Sequence, residues 1–120
     1  MECDEFAERL AGVRARFASK LEGRIAAIDN ALPELKGESV DVAKAVYSAH
    51  RQVHDLCGIG PTLGFNETGK AARVCERILL QPSREQRGLT EQELASLKER
   101  LAALRVAAQA DMQTIGNVRE

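Results

Sequence analysis

The sequence predicts an all-α fold, an antiparallel four-helix bundle with up-down-up-down order. The composition favours helices because Ala, Leu, Arg and Glu dominate and only 3% of residues are aromatic. Apolar residues recur at steps of three and four along four segments, and no segment alternates as a strand would. Four amphipathic helices in one domain of 120 residues can bury their apolar faces only against one another. We predict helices at about 4–32, 40–59, 66–80 and 90–116.

The first predicted helix begins at Asp4, whose side chain can cap the first free amides. It ends at Leu32, because Pro33 disfavours helical geometry in the residue before it. Its apolar stripe is Phe6, Leu10, Val13, Phe17, Leu21, Ile25, Ile28 and Leu32.

The second predicted helix follows a connection that contains Pro33 and Gly37, and Ser39 or Asp41 can cap its start. We predict an end or a kink near Gly58 to Gly60, because Pro61 would clash with the carbonyl one turn earlier. Its apolar stripe is Val42, Val46, Ala49, Val53 and Leu56.

The third predicted helix is capped by Asn66 and stops before Pro82, and residues 81–89 read as a polar surface loop. Thr90 and Glu93 have the spacing of a capping box at the start of the fourth helix, which has Gly116 near its end. The third helix carries Ala71, Val74, Cys75, Ile78 and Leu79 inward, and the fourth carries Leu94, Leu97, Leu101, Leu104, Ala108 and Ile115.

Charge and cysteine usage narrow the classes of partner and compartment. The net charge is −1 and Lys and Arg are scattered, which argues against a nucleic-acid partner. No apolar run is long enough for a membrane span, and the acidic start does not resemble a signal peptide. Three cysteines without close pairing are typical of reduced thiols, so we expect a cytoplasmic protein. Polar residues on the outer face of the fourth helix favour a monomer: Arg100, Arg105 and Gln109.

His54 is the most informative residue of the chain. It lies about 120° from the centre of the apolar stripe on the second helix, at the boundary between core and solvent. Tyr47 and Gly58 share its side of the helix, and Arg51 lies about 60° further round. A neutral imidazole has one ring nitrogen with a free lone pair, which can attack an electrophilic phosphorus atom.

A phosphorylated histidine needs space and positive charge around it. Gly58, one turn after His54, leaves space beside the ring. A phosphoryl group is favoured by basic neighbours, and we expect Arg51, Lys70 and Arg73 to supply them.

This segment resembles the histidine-containing phosphotransfer (HPt) domain of bacterial multistep phosphorelays. The family pattern is a histidine, an apolar residue two on, lysine three on, glycine four on and glycine ten on. The residues at these places are His54, Leu56, Cys57, Gly58 and Gly64. Four residues depart from the pattern. Cys57 replaces the lysine, and Gly60 stands where a small hydroxylic residue is frequent. Pro61 is unusual at this helix end, and Thr68 replaces an apolar residue. The resemblance covers about residues 10–80, and includes Ala71, Cys75 and Glu76 on the third helix.

The resemblance implies a phosphorelay intermediate. His54 would accept a phosphoryl group from an aspartate of a receiver domain and pass it to another receiver. Cys57 would flank the phosphate, and Gly60 and Gly64 would be motif glycines. The expected partners are receiver domains of response regulators and of hybrid histidine kinases. The partner receiver would supply Mg²⁺ and the catalytic acidic residues, so we expect no cofactor and no complete enzyme in this chain.

Other interpretations of the same residues remain open. The domain could bind a receiver or kinase without passing phosphate. A helical metal-binding module could use His50, His54, Cys57 and Cys75, whose side chains zinc accepts as ligands. Cys57 could be a nucleophile with His54 as its base. Without such roles, His50 and His54 would be polar boundary residues and Cys75 a small core residue.

Overall fold

A computed structural model describes residues 2–118 of the chain, with side chains from residue 4 to residue 115. The four α-helices are α1 (Glu2–Asn30), α2 (Val40–Thr62), α3 (Asn66–Arg84) and α4 (Glu91–Val118), and a short 3-10 helix spans Leu32–Leu35. Residues 2–118 contain no strand, and the helices pack as a bundle. The predicted all-α four-helix bundle is confirmed. None of the helices described is both long and apolar enough to cross a membrane.

The core is built from the predicted apolar stripes, and α2 and α3 form its most extensive helix pair. Phe17 of α1 packs edge-to-face on Phe65 in the α2–α3 turn, with ring centroids 4.9 Å apart. Phe65 is fully buried, which anchors this turn on the core. The largest other buried residues are Leu21, Ile25, Ile28, Leu35, Leu56, Leu79, Leu97, Leu101 and Leu104.

The start of α1 departs from the prediction. Phe6 and Val13 are 66% and 39% exposed, although both belong to the predicted apolar stripe. The core contacts of α1 begin at Phe17, and Leu10 is only partly buried. Arg14 and Phe17 lie against the α2–α3 turn, so the residues of α1 before them extend past the end of this helix pair.

The helix ends that were predicted from the three prolines differ from the ends in the structure. Pro33 does stop a helix, but α1 ends at Asn30 and Pro33 lies in the 3-10 helix. The predicted end of the second helix near residue 59 is wrong, because α2 continues through Pro61 to Thr62. The predicted end before Pro82 is also wrong: α3 continues through the buried Pro82 to Arg84. Each proline removes only its own amide donor, and so close to the helix end few helical residues follow that a distortion could displace, so both helices tolerate it.

The helix caps were predicted with mixed success. Ser39 accepts from the Val42 amide at 3.2 Å, and Thr90 and Glu93 form the reciprocal capping box. Asp4 is not a cap, because it lies inside α1. Asn66 is the first residue of α3 and not its cap.

Asp111 of α4 takes the place of a local cap on α3. Its Oδ2 accepts from the backbone amide of Thr68 at 2.7 Å and from the Thr68 hydroxyl at 2.8 Å. Thr68 is 0% exposed and Asp111 only 7%. A free amide at the start of α3 is therefore satisfied by a carboxylate 43 residues further along the chain.

Gly60, Pro61, Phe65 and Gly69 form the α2–α3 joint, where the backbones of the two helices come close together. A Cβ on Gly69 would come within 2.5 Å of Pro61 Cγ, so only glycine allows this contact. The Phe65 amide donates to the Gly60 carbonyl at 2.8 Å and closes the turn. Gly64 adopts φ 92°, a conformation that favours glycine.

Gly88 marks a second close approach, and its replacement should destabilise the protein. A Cβ on Gly88 would overlap the Gly37 carbonyl oxygen and lie 2.9 Å from the Leu35 carbonyl oxygen. The neighbouring Leu89 amide donates to Leu35 at 2.8 Å, so the clash would strain that hydrogen bond. We expect Gly88→Ala to lower the free energy of unfolding by about 1–3 kcal/mol in urea titrations. An unchanged unfolding midpoint would contradict this packing.

Candidate functional site

His54 and Glu76 form a pair that joins α2 to α3. The His54 side chain is 60% exposed, and its Nδ1–H donates a hydrogen bond to Oε2 of Glu76. Glu76 is more enclosed, with 22% of its side chain exposed. The two residues are 22 positions apart in the sequence. The pair therefore depends on how the two helices are aligned.

The charge of Glu76 determines which ring nitrogen of His54 is available. Burial raises the pKa of Glu76, but the hydrogen bond and charge of His54 and the charge of His50 outweigh it, so the pKa lies below its ordinary value. An ionised carboxylate only accepts hydrogen bonds. The proton of neutral His54 is consequently held on Nδ1, and the lone pair is on Nε2. An exposed imidazole in this tautomer can act as a nucleophile.

His50 lies one turn before His54, on the core side of the His54–Glu76 pair, and the three side chains form a cluster. The two rings are roughly parallel, with centroids 6.1 Å apart and planes at 20°. The His50 side chain is 15% exposed, and its Nε2 is 3.7 Å from Glu76 Oε2. Burial is the largest cause of the lowered pKa of His50. The negative charge of Glu76 raises this pKa, whereas the charges of His54, Arg51 and Arg84 lower it further. His50 is therefore neutral at pH 7.

Cys57 faces the same carboxylate from α2. Burial and the negative charge of Glu76 raise the pKa of the Cys57 thiol to about 11, against the opposing charge of Arg73. A thiol with this pKa is protonated at neutral pH, so Cys57 does not supply a thiolate nucleophile. At the position where the HPt pattern has a cation, this chain has a neutral group beside Glu76.

The four side chains of the alternative metal site do not come together as a ligand set. Cys75 is 0% exposed in the core, and burial followed by the nearby Cys57 raises its pKa to about 12. His54 directs its Nδ1 to Glu76. Within the part of the chain that the structure describes, no group of three or more His, Cys, Asp or Glu residues is arranged to hold a metal ion.

The three motif glycines have different surroundings. Gly58 is exposed, and a Cβ built there meets no atom within 4 Å, so the space beside His54 is open. Gly60 is buried in the α2–α3 joint, and Gly64 lies in the turn next to the Arg14 side chain. Arg14 also donates to the Leu63 carbonyl at 2.9 Å, which ties α1 to this turn.

The predicted basic neighbours divide into two groups. Arg51 and Arg73 are exposed, and their charges act on His50 and Cys57 respectively, so both belong to the surroundings of the cluster. Lys70 instead forms an ion pair with Glu67 at 3.1 Å, within the first turns of α3. Arg84, which the sequence did not single out, contributes its charge near His50.

Glu76 is the residue of this cluster that the residue-by-residue reasoning missed. The HPt resemblance placed a glutamate at this position but gave it no role. Helical periodicity orients each residue within its own helix and does not state which residues of two helices meet. The separation of 22 residues between His54 and Glu76 predicts a contact only when the length of the turn between α2 and α3 is also known.

Comparison with known proteins adds no name to this cluster. No protein-family model, no curated protein and no solved structure matches the chain.

Proposed function

We propose that the protein is a phosphoryl carrier of the HPt type, which accepts a phosphoryl group on Nε2 of His54. The observation that carries the proposal is the His54–Glu76 pair, because it holds the proton on Nδ1 and leaves the lone pair of an exposed ring nitrogen free. The open surface at Gly58 would admit a large partner. Arg51 and Arg73 supply positive charge near a bound phosphoryl group.

The proposed transfer is a displacement at phosphorus. The lone pair of His54 Nε2 attacks the phosphorus of an aspartyl phosphate in a receiver domain. The N–P bond forms while the P–O bond to the aspartate breaks, which returns the partner's carboxylate. The imidazole gains positive charge as the N–P bond forms, and the negative charge of Glu76 stabilises it. Transfer to a second receiver reverses these steps, and the receiver supplies the Mg²⁺.

Labelling experiments test the carrier function. The protein is incubated with radiolabelled phosphoramidate, a small donor that needs no partner, and with phosphorylated receiver domains encoded in the same genome. We expect an acid-labile, base-stable label on the wild type and none on His54→Gln, with circular dichroism confirming that the variant is folded. Absence of label from every donor would overturn the proposal. If a receiver still bound, that result would favour a regulator that binds without carrying phosphate.

Gly58→Ala should slow transfer from a receiver domain without destabilising the protein. An alanine in an exposed helix interior stabilises a protein by roughly 0.5–1 kcal/mol relative to glycine. Its methyl group, however, would stand in the open space beside His54. We expect transfer from a receiver to slow by about 10-fold while labelling by phosphoramidate is unchanged.

Gly23→Ala is the matched control for this substitution. Gly23 is an exposed helical glycine of α1 whose added Cβ would also meet no atom within 4 Å. It should raise the unfolding midpoint without changing either transfer rate. Equal receiver transfer by the Gly58 and Gly23 variants would show that Gly58 is not in the docking surface.

A further inference from the structure

The His50 imidazole has a buried ring nitrogen without a partner. Its Nε2 is shielded from solvent and makes no hydrogen bond. Leaving a buried polar atom unpaired costs free energy, so natural structures retain few such atoms. Glu76 Oε2, the same oxygen that accepts from His54, lies 3.7 Å away. His50 and His54 therefore face one carboxylate oxygen from successive turns of α2.

The charge of that oxygen orients the proton of His50. A neutral imidazole carries its single proton on either Nδ1 or Nε2. The tautomer with a lone pair on Nε2 would set two negative regions opposite each other, whereas Nε2–H faces the carboxylate favourably. The groups that act on His50 are Glu76 and Arg84 from α3 and Arg51 and His54 from α2. Glu76 is the one negatively charged group among them, so it decides the tautomer.

We propose that His50 is a positioning residue, whose Nε2–H directs the Glu76 carboxylate and thereby keeps the proton of His54 on Nδ1. The inference rests on the proposed function of His54 and adds a step to it. His50 does not touch the phosphoryl group. Its Nε2–H, 3.7 Å from Glu76 Oε2, favours the carboxylate orientation in which the same oxygen accepts from His54.

Two substitutions of similar size separate the polar effect of His50 Nε2–H on Glu76 from packing. His50→Leu fills the half-buried site without a polar atom, and His50→Gln restores an N–H donor at a comparable distance from the backbone. The tautomer of His54 is measured by long-range proton–nitrogen NMR of the imidazole rings at pH 8.5, in the whole protein and without any phosphoryl donor. Thermal unfolding confirms that each variant is folded, and His50→Met replaces His50→Leu if the latter is not.

We expect wild type and His50→Gln to hold the His54 proton on Nδ1, and His50→Leu to move a large part of it to Nε2. Labelling by phosphoramidate should fall about 10-fold in His50→Leu and recover in His50→Gln, as for other residues that orient a reacting group through a neighbour. The inference is overturned if His50→Leu keeps the wild-type tautomer, or if His50→Gln loses it equally. If the tautomers behave as expected but the wild type takes no label, the role of His50 stands and the carrier function fails.

Discussion

Replacing Asp111 with alanine should lower the free energy of unfolding by about 3 kcal/mol, because two buried hydrogen bonds to a carboxylate are lost together. The Thr68 amide and hydroxyl would remain enclosed without an acceptor, since Thr68 is 0% exposed. For a domain of this size the midpoint of thermal unfolding should fall by roughly 10 °C. Urea titration followed by circular dichroism measures the effect.

Asp111→Asn and Thr68→Val show how much of this loss of stability comes from the carboxylate charge and how much from the hydroxyl hydrogen bond. Asparagine retains a carbonyl oxygen that can accept from the Thr68 amide, and we expect it to lose less than half as much stability as alanine. Thr68→Val removes the hydroxyl donor and keeps the amide bond to Asp111. A loss below about 1 kcal/mol for Asp111→Ala would mean that water replaces the carboxylate, and this interhelical cap would then be dispensable.

Glu76→Ala should slow labelling of His54 by phosphoramidate by about 100-fold, the scale on which positioned acid–base groups act. The alanine variant loses the acceptor that holds the proton on Nδ1, as well as the negative charge that stabilises the phosphorylated imidazole. Glu76→Gln should retain part of the rate, because its carbonyl oxygen can still accept from Nδ1–H. Initial rates of labelling at pH 8 measure both variants.

Glu67→Ala provides the control on the same helix. Glu67 is an exposed glutamate of α3 that pairs with Lys70 and not with His54. Its removal should leave the labelling rate unchanged. Equal rates for the wild type and Glu76→Ala would show that the pair does not prepare His54 for attack, and the main support for the carrier proposal would disappear.

The structural features that the sequence predicted correctly depend on residues that are close together in the chain. Ser39 and Thr90 act as caps within their own helices, and the apolar stripes from Phe17 onward form the core as expected. The misjudged ends at Pro61 and Pro82 arise because the effect of a proline depends on how many helical residues follow it. These are local errors of three and four residues, and they leave the fold unchanged.

Interactions between distant residues could not be predicted in the same way. Asp111 caps a helix whose start lies 43 residues earlier, and Glu76 meets a histidine 22 residues earlier. Both depend on the rotation and axial position of one helix against another, which periodicity does not determine. The angle of His54 to the apolar stripe predicted a place at the boundary between core and solvent, and its side chain is 60% exposed, whereas the acceptor of its proton was not predictable.

The α2–α3 joint has a consequence for how related sites would be found by sequence comparison. Its glycines and Pro61 fix the level at which α3 starts against α2, and Glu76 lies about two turns beyond Gly69. One residue inserted in α3 between Gly69 and Glu76 would shift Glu76 by about 100° around the helix and carry the carboxylate away from His54, with every short motif still intact. In chains that keep this turn length, an interval of 22 residues between histidine and glutamate is thus a more selective signature of the pair than the residues flanking the histidine.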